Sequence, residues 1–532
     1  MCHNFLPYFR ANRFVPACMT ENRDWMLFLG KDRICGVIAA EGADAMWGQL
    51  RLALKRAPAR KQTIELRLDW LKDDTEIRRF LRKLRAAKVP ATLIATCRRR
   101  VAGGKYRGSI ARQLIHVTEA LHAGCAWYDL EIESIRECPP EVLEVLLGDG
   151  KRLASAHFFD RLPRNLNRTV SELEATRSNA VKLAAKCESL AEGLKVLHLA
   201  RGKRTVVAVP MGEASLALRV LASREGSALS YASLENSTAP GQVSLKDMED
   251  LYRAGELDRA TRVYGTIGNP IGHSLSPAMH NAAFQARRIN AVHLPFLVTQ
   301  LTDFLGVIKP LGIAGFGITL PHKQAIMKYL DDCDPVAAEI GAVNTVAVRG
   351  GKLHGYNTDC IGILRALEPR IRLGGSRILI VGAGGAARAA AFTLAGAGAA
   401  VFIGARRKDR AAELARVANG EAVRLNDLRR MSFDAIVNAT PVGMYPSAQD
   451  CPLEPGDLNC RLVFDMIYRP RMTRLLQLAA RRGIQTVPGI EMFVAQGVAQ
   501  WETWTGQTAP VGVMRRAAMR ALDEAVRPAS GA

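Results

Sequence analysis

Two lysines in separate halves of the 532-residue chain have neighbours that suit chemistry better than solubility. Lys182 lies in an apolar run at 179–185, where an unpaired ammonium would lose hydration at a high energetic cost. A neutral amine there could attack a ketone and form an imine, although a strand-end lysine that reaches solvent is the alternative. Lys323 could act as a proton donor beside a nucleotide-binding domain. The sequence therefore predicts two active sites.

Each lysine has a potential partner elsewhere in the sequence. His157 lies one predicted strand before Lys182, and histidine can remove a proton beside an imine carbon and return it to a departing hydroxyl. A purely structural histidine is the alternative. Asp359 follows Lys323 by 36 positions and could hold its ammonium in place. An ordinary salt bridge would look the same in sequence, and spacing alone does not show that these two residues meet.

Eight short apolar or β-branched runs, each followed by a stretch with helical periodicity, must position the first lysine. They lie at 34–40, 63–69, 91–98, 127–133, 152–159, 180–187, 205–212 and 228–235. Such alternation predicts a parallel sheet, and eight units in about 220 residues match a closed (β/α)₈ barrel. An open doubly wound sheet is the alternative. Candidate chemical groups at or near the carboxyl ends of these runs favour the barrel, because those ends share one rim. They are Glu65, Arg67, Arg98, His157 and Lys182.

A different pattern positions the second lysine. After a polar connection at 258–262, a second α/β segment begins at 263–268. From 377 the order is strand, glycine turn, alanine-rich helix and strand, which is the context of a dinucleotide-binding fingerprint. Gly382 would make the tight turn, Gly384 would let a pyrophosphate approach, and Ala387 would allow close helix packing. The predicted fingerprint residues are Gly382, Ala383, Gly384, Gly385, Ala386 and Ala387.

Basic residues follow the next strand, where an acidic residue would bind a free ribose 2′-hydroxyl. The segment is Ala405, Arg406, Arg407 and Lys408. Positive charge at this place favours NADP over NAD, because it suits a 2′-phosphate. An exposed basic loop is the alternative.

The residues from 34 to about 256 resemble type I 3-dehydroquinate dehydratase. The resemblance rests on 65–69, 103–104, 129–131, 155–159, 181–182, 211–213 with Arg219, and 239–242. It implies that Lys182 forms an imine and that His157 is the acid and base. It also implies a substrate pocket of Glu65, Arg67, Arg98, Arg219, Thr238 and Gln242. An arginine fork suits the substrate carboxylate, while surface ion pairs are the alternative for each arginine.

Two positions depart from this family. The glutamate that usually precedes the paired glycines is Ala102, and the usual serine before the pocket glutamine is Thr238. Loss of the acid is expected to change the pKa or the orientation of His157 and to slow dehydration.

The residues from 262 to 526 resemble shikimate dehydrogenase. The motifs are 268–281, 317–323, 341–345, 357–359, 438–443, 465–468 and 489–496. They imply that Lys323 and Asp359 form the catalytic pair, and that Ile467 and Gly489 join the cofactor site. They also imply substrate contacts from Ser274, Ser276, Thr319, Asn344, Tyr468 and Gln496. Taken alone, Ser276 could be only a helix N-cap before Pro277.

Composition limits the remaining function classes. The formal charge of +22 raises a nucleic-acid hypothesis, but the basic residues are spread along the chain, which favours a solvated surface and pockets for anionic ligands. Eleven cysteines are scattered along the chain without CxxC pairs, which predicts reduced thiols and a cytoplasmic location. The same spacing gives little support for a zinc site. No run reaches the roughly 18 apolar residues of a membrane span. The first 33 residues lack the apolar core of a secretory signal and the serine content of a transit peptide.

The combined reading is an α/β protein that resembles a fused dehydratase and dehydrogenase. The predicted domains are an extension at 1–33, a barrel at 34–256, a substrate-binding domain at 262–375 completed by helices at about 492–526, and a Rossmann domain at 376–491. The expected ligands are 3-dehydroquinate, 3-dehydroshikimate, shikimate and NADP(H), without metal, in a monomer or homodimer. The alternatives are that only the reductase half is active, that the second site oxidises quinate, or that the chain is an inactive metabolite-sensing regulator.

Overall fold

The computed structural model describes residues 33–56, 62–148, 150–203, 205–234 and 241–526. Thr238 and nearly all of the predicted N-terminal extension lie outside these ranges.

Eight parallel strands and their connecting helices form the first unit. The strands are β1 (Ile34–Ile38), β2 (Thr63–Arg67), β3 (Thr92–Thr96), β4 (Trp127–Glu131), β5 (Lys151–Phe158), β6 (Ala180–Lys186), β7 (Val206–Met211) and β8 (Ser230–Ser233). The helices are α1 (Ala43–Arg56), α2 (Asp74–Ala87), α3 (Ile110–His122), α4 (Ile132–Glu137), α5 (Pro140–Leu147), α6 (Leu166–Glu174), α7 (Leu190–His198) and α8 (Leu216–Val220). Local sequence fixes their ends: α2 begins after Asp73, whose side chain accepts a hydrogen bond from the Glu76 amide.

The strands form a nearly closed barrel. Their order is β7-β6-β5-β4-β3-β2-β1-β8, and the paired strands are parallel. The seam beside β7 is joined by hydrogen bonds from the Ala228 amide to the Val206 carbonyl (2.9 Å) and from the Ala208 amide to Ser227 Oγ (3.0 Å). The predicted barrel is therefore confirmed, and the open-sheet alternative is wrong.

A mixed six-stranded sheet forms the second unit. Its strands are β9 (Arg262–Gly268), β10 (Ala291–Leu297), β11 (Ile313–Ile318), β12 (Asp332–Cys333), β13 (Thr345–Arg349) and β14 (Lys352–Tyr356). Its helices are α9 (Ser276–Ala286), α10 (Leu301–Leu311), α11 (Pro335–Ile340) and α12 (Asp359–Leu367). The strand order is β10-β9-β11-β13-β14-β12, and β13 is antiparallel to both of its neighbours.

A parallel six-stranded sheet forms the third unit. Its strands are β15 (Arg377–Val381), β16 (Ala400–Gly404), β17 (Glu421–Val423), β18 (Phe433–Asn438), β19 (Cys460–Asp465) and β20 (Gln485–Pro488). Its helices are α13 (Gly385–Gly396), α14 (Lys408–Val417) and α15 (Arg474–Arg481). The order β17-β16-β15-β18-β19-β20 is that of a dinucleotide-binding fold, so the predicted Rossmann unit is confirmed.

The last two helices return to the second unit. They are α16 (Ile490–Thr505) and α17 (Val511–Val526). Trp501 of α16 and Met514 of α17 are fully buried in one apolar cluster with Tyr264 of β9. The chain thus crosses to the Rossmann unit and comes back, which puts α16 beside the cleft between the two units.

Short helical segments complete the architecture. The 3₁₀ segments are Leu68–Trp70, Arg100–Ala102, Glu213–Ser215, Ala254–Glu256, Ala325–Tyr329, Leu425–Arg430 and Pro455–Asp457, and a π-helical turn spans Asp247–Leu251.

The barrel and the second unit share a continuous apolar core. Helix α10 packs against α7, and β10 packs against α8. Asp303 of α10 accepts hydrogen bonds from the amides of Leu190 (2.8 Å) and Ala191 (3.1 Å), which caps the first turn of α7. The second unit therefore stabilises a helix that directly follows the strand carrying Lys182.

Candidate active sites

Lys182 lies inside the barrel, on β6. It is 4% exposed, so the strand-end alternative that reaches solvent is wrong. Its Nζ contacts Asp129 Oδ2 and lies 3.4 Å from Glu65 Oε1. Two buried carboxylates thus compensate the ammonium, and its surroundings are more polar than its apolar neighbours in sequence suggest.

Asp129 is the centre of this charge network. Its Oδ2 also accepts a hydrogen bond from Arg98 Nη2 (3.0 Å), and its Oδ1 accepts one from Ser155 Oγ (2.5 Å). Although burial acts in the opposite direction, Lys182 and Arg98 hold the pKa of Asp129 below its ordinary value. Asp129 is therefore an anion that two cations share.

His157 lies two residues beyond Ser155 on β5, while Ser155 pairs with Lys182 on the next strand. Its ring stacks on that of Phe159 with centroids 6.0 Å apart. Its Nδ1 has no hydrogen-bond partner among the described residues. Burial, followed by the charges of Arg98 and Lys182, lowers the pKa of His157 well below its ordinary value. The ring is consequently a neutral base at rest.

The three predicted pocket arginines are all buried, so the surface ion-pair alternative is wrong for them. Arg67 is paired with Asp69 through two hydrogen bonds of 2.9 and 2.8 Å. The Arg219 side chain donates one hydrogen bond within the described part of the chain, from Nη2 to the Tyr231 carbonyl (3.4 Å), and burial lowers the pKa of Arg219 to about 10. Arg98 Nε and Arg219 Nη1 have no partner among the described residues. These unused donors suit a bound anion.

Two glycines bring loop residues to the barrel rim. Gly103 has φ +76°, and a Cβ there would lie 2.0 Å from the Phe159 ring. The adjacent Ala102 is 6% exposed and offers a methyl group where the resemblance leads us to expect an acid. Gly241 has φ +71°, and a Cβ there would lie 2.2 Å from the Gly212 carbonyl oxygen. That close approach holds Gln242 beside the carboxyl end of β7.

The second lysine lies in a cleft of about 1310 Å³ lined by residues of the second and third units and α16. All eight predicted substrate and catalytic residues of this half line it: Ser274, Ser276, Thr319, Lys323, Asn344, Asp359, Tyr468 and Gln496.

Lys323 and Asp359 meet despite their separation in sequence. Lys323 Nζ donates a hydrogen bond to Asp359 Oδ2 (2.5 Å), and Asn344 Nδ2 donates one to Asp359 Oδ1 (2.8 Å). Asp359 is the first residue of α12, where the helix dipole favours a carboxylate. Asn344 Oδ1 accepts a hydrogen bond from the Thr358 amide (2.8 Å). Both oxygens of Asp359 are therefore fixed, and the ammonium is aimed by them.

Ser276 does not occupy the N-cap position that the alternative interpretation gave it. Leu275 occupies the cap position of α9, and Ser276 is the first helical residue. Ser274 Oγ accepts a hydrogen bond from the Ser276 amide (3.3 Å). Ser276 therefore does not cap the helix, and both hydroxyls lie on the cleft wall.

The glycine turn after β15 opens into the same cleft. Gly382 has φ +125°, and a Cβ there would lie 3.0 Å from the Ala439 carbonyl oxygen, so a side chain would be strained. A Cβ on Gly384 would meet nothing within 4 Å. The amide end of α13, which begins at Gly385, thus faces free space of the kind that a pyrophosphate needs.

Most predicted cofactor residues line this part of the cleft. They are Gly382, Ala383, Gly384, Gly385, Ala386, Ala405, Arg406, Arg407, Ile467 and Gly489. Ala387 lies in the first turn of α13 and is fully buried, which fits its predicted packing role. Lys408 is exposed and is not among the lining residues, whereas Arg410 lines the cleft. Together, the amide turn and arginines fit a dinucleotide with a 2′-phosphate.

The sequence reasoning missed several residues. Asp129 lies in the 129–131 motif, and a carboxylate among the apolar residues of a predicted strand was the available signal. Gln500 and Thr266 line the cleft around Lys323 but belong to none of the motifs named above. The centroid of the Tyr231 ring lies 4.6 Å from Lys182 Nζ. Nothing in the predicted strand at 228–235 indicates this contact.

Two general features of the described residues complete the site description. Within them, no helix is long and apolar enough to cross a membrane, and no group of three His, Cys, Asp or Glu side chains could hold a metal ion. The nine described cysteines are free thiols.

Comparisons with known proteins match both halves. Residues 38–259 match the type I 3-dehydroquinase family, and 266–346 match the shikimate dehydrogenase substrate-binding domain. Residues 366–445 match the shikimate/quinate 5-dehydrogenase family, and 489–519 match the shikimate 5′-dehydrogenase C-terminal domain.

Individual relatives agree with these matches. The bifunctional 3-dehydroquinate dehydratase/shikimate dehydrogenase of Arabidopsis thaliana, named as chloroplastic, is 34% identical over 90% of this chain and 82% of its own. The NADP(+) shikimate dehydrogenase of Symbiobacterium thermophilum is 45% identical over 49% of this chain and 95% of its own. A Thermus thermophilus shikimate 5-dehydrogenase structure with NADP(H) and shikimate is 37% identical, with a TM-score of 0.46 over 49% of this chain and 100% of that one.

Proposed function

We propose that the two lysines of this chain catalyse two successive reactions. The chain belongs to the bifunctional 3-dehydroquinate dehydratase/shikimate dehydrogenase family. The barrel dehydrates 3-dehydroquinate to 3-dehydroshikimate, with Lys182 and His157 as its catalytic residues. The second half reduces that ketone to shikimate with NADPH, with Lys323 and Asp359 as its catalytic pair.

In the barrel, the Lys182 nitrogen attacks the ketone carbon, and two protons of the ammonium leave with the ketone oxygen as water, so that the imine keeps the third proton. The protonated imine withdraws electrons from the adjacent carbon. His157 removes a proton from that carbon and returns it to the hydroxyl that leaves as the second water. Hydrolysis of the imine then releases the product and restores Lys182. The neutral state of His157 supports this role.

Arg98 and Arg219 support binding of the substrate carboxylate in this proposal. Each has a buried donor without a partner among the described residues, so an anion would satisfy both. Arg67 is already paired with Asp69, and we assign it to holding the pocket wall.

In the cleft, Lys323 protonates the alkoxide that forms at the reduced carbon, and Asp359 keeps its ammonium in position. Ser274, Ser276 and Thr319 offer hydroxyls to the substrate carboxylate and hydroxyls. NADPH supplies the hydride when it is bound. We place its pyrophosphate at the amide end of α13 and its 2′-phosphate at Arg406, Arg407 and Arg410, because these residues line the same cleft as Lys323.

The observation that carries the proposal is that one chain encloses two separate lysine–carboxylate sites, with Lys182 in the segment that matches the type I 3-dehydroquinase family and Lys323 in the segment that matches the shikimate dehydrogenase substrate-binding domain. The test is a single-enzyme conversion: purified protein receives 3-dehydroquinate and NADPH, and shikimate is quantified by mass spectrometry. We expect shikimate in step with NADPH consumption. Reduction of supplied 3-dehydroshikimate without any conversion of 3-dehydroquinate would contradict the barrel assignment.

We also propose that the protein works in a reducing compartment, the cytoplasm, as a monomer or homodimer. The free thiols support the reducing environment. Cell fractionation and light scattering of the purified chain test these two points, and recovery in an organelle or as a larger assembly would contradict them.

A further inference from the structure

Tyr231 lies in the barrel interior and has no role in the reactions described so far. It pairs in register with Cys35 across β8 and β1. It is 6% exposed and belongs to the apolar cluster that fills the barrel, together with Val207 and Met211. Its position therefore puts the phenol among the groups that surround Lys182.

Two contacts connect Tyr231 to the residues of the dehydratase site. The face of its ring lies 4.6 Å from Lys182 Nζ, which is within the range of a cation–π interaction. Its backbone carbonyl accepts the hydrogen bond from Arg219 Nη2 (3.4 Å). The residue thus lies between the amine that attacks the ketone and the arginine assigned to the carboxylate.

The Tyr231 hydroxyl is buried and has no hydrogen-bond partner among the described residues. Buried phenol groups normally find a partner, because an unmade hydrogen bond costs more than a made one gains. Burial, followed by the carboxylate of Glu65, raises the pKa of Tyr231 well above its ordinary value. The hydroxyl therefore stays protonated and able to donate.

The same pattern occurs at Arg98 Nε and Arg219 Nη1, which are also buried donors without partners. Arg98 shares Asp129 with Lys182, and Arg219 contacts Tyr231. Three unused donors on residues linked in this way to one buried amine indicate that a ligand rich in oxygen completes their hydrogen bonds. The ligand oxygen nearest to the attacking amine is the oxygen of the ketone itself.

We propose that Tyr231 is a further substrate-contacting residue of the dehydratase site: its hydroxyl donates a hydrogen bond to the ketone oxygen that Lys182 displaces. The bond draws electrons from the carbonyl as the Lys182 nitrogen attacks, and it then holds the departing water. This inference rests on the proposed function of the barrel.

The test compares Tyr231→Phe, which keeps the ring and removes the hydroxyl, with wild type. We expect dehydration kcat/KM to fall about fivefold to tenfold, as for the loss of one hydrogen bond. The single-turnover rate of imine formation, measured by rapid quenching with borohydride, should fall by the same factor. NADPH-dependent reduction of 3-dehydroshikimate by the same chain should not change.

Tyr252→Phe is the matched control, because Tyr252 is buried in the shared core of the barrel and the second unit, with no contact to Lys182 described. Unchanged kcat/KM in Tyr231→Phe would overturn the proposal, and so would an equal loss in the control. A fall in kcat/KM with an unchanged imine rate would overturn the assignment to the ketone oxygen. Failure of the proposed function looks different: wild type itself would then show no dehydration and no adduct.

Discussion

The surroundings of the two lysines differ in side-chain exposure and in the number of neighbouring carboxylates. Lys182 has a side chain 5% exposed, in contact with Asp129, near Glu65 and over an aromatic ring. Lys323 has a side chain 17% exposed and one carboxylate partner, on the wall of a wide cleft. The difference corresponds to the chemistry proposed for each amine.

An amine that forms an imine must give up its charge and then regain it. Buried carboxylates beside Lys182 stabilise both the resting ammonium and the positively charged imine, so the network suits the covalent intermediate. An amine that only donates a proton needs a fixed direction and room for two ligands. The hydrogen bonds of Asp359 provide the direction for Lys323, and the open cleft provides the room.

The largest expected effect separates the two sites completely. Lys182→Ala should lower dehydration kcat by at least about 10³-fold and leave reduction unchanged, while Lys323→Ala should lower reduction by about 10²- to 10⁴-fold and leave dehydration unchanged. Steady-state assays of both reactions on each variant check this. Loss of both activities in either variant would contradict the independence of the sites.

Replacing the centre of the barrel network should have the next largest effect. Asp129→Asn keeps the shape of the side chain but removes the negative charge that compensates Lys182 and Arg98. We expect dehydration to fall about 100-fold, and the free energy of unfolding to fall by about 3 kcal/mol, as for a broken buried ion pair. Urea unfolding and activity assays measure both. Asp73→Asn, which alters an exposed helix cap, is the control, and equal behaviour of the two variants would contradict the role of Asp129.

A smaller effect distinguishes the basic residues of the cofactor site. Arg406→Ala and Arg410→Ala should each raise the KM for NADPH about tenfold with little change for NADH, because each removes a charged donor to the 2′-phosphate. Lys408→Ala is the matched control, since Lys408 lies outside the cleft lining. An equal rise in Lys408→Ala, or an equal loss with NADH, would show that the 2′-phosphate lies elsewhere.

Another effect concerns the pH dependence of stability at a buried histidine pair behind the reductase cleft. His280 and His293 stack with centroids 4.5 Å apart, and burial lowers the pKa of His280 to about 3. Because an unfolded histidine titrates near 6.5, the stability that His280 contributes is complete above that pH and is lost as the pH falls toward 3. Between pH 7.5 and 5.0 we expect a loss of about 2 kcal/mol from this residue.

Urea unfolding at these two pH values, for wild type and His280→Asn, tests the pH prediction. The variant should be less stable at pH 7.5 but should lose about 2 kcal/mol less on acidification. An identical pH dependence in both proteins would contradict a neutral, buried His280.

Regular patterns in the sequence predicted the strands and the fingerprint, because each depends on residues close together in the chain. Lys182 and Lys323 were found for the same reason. The contact between Lys323 and Asp359 depends on how the chain folds between them, so only the structure establishes it. The roles of Asp129 and Tyr231 likewise depend on contacts with side chains on other strands. Lys408 and Arg410 illustrate a further limit: α14 begins at Lys408, and the helix places Arg410 rather than Lys408 on the cleft.

The most direct test of the central claim is to trap the imine. The protein is incubated with 3-dehydroquinate and borohydride, digested, and analysed by mass spectrometry. We predict a reduced adduct on the peptide that contains Lys182 and loss of dehydration activity in proportion to the adduct. The absence of an adduct from an enzyme that dehydrates the substrate, or an adduct on a different lysine, would contradict the account.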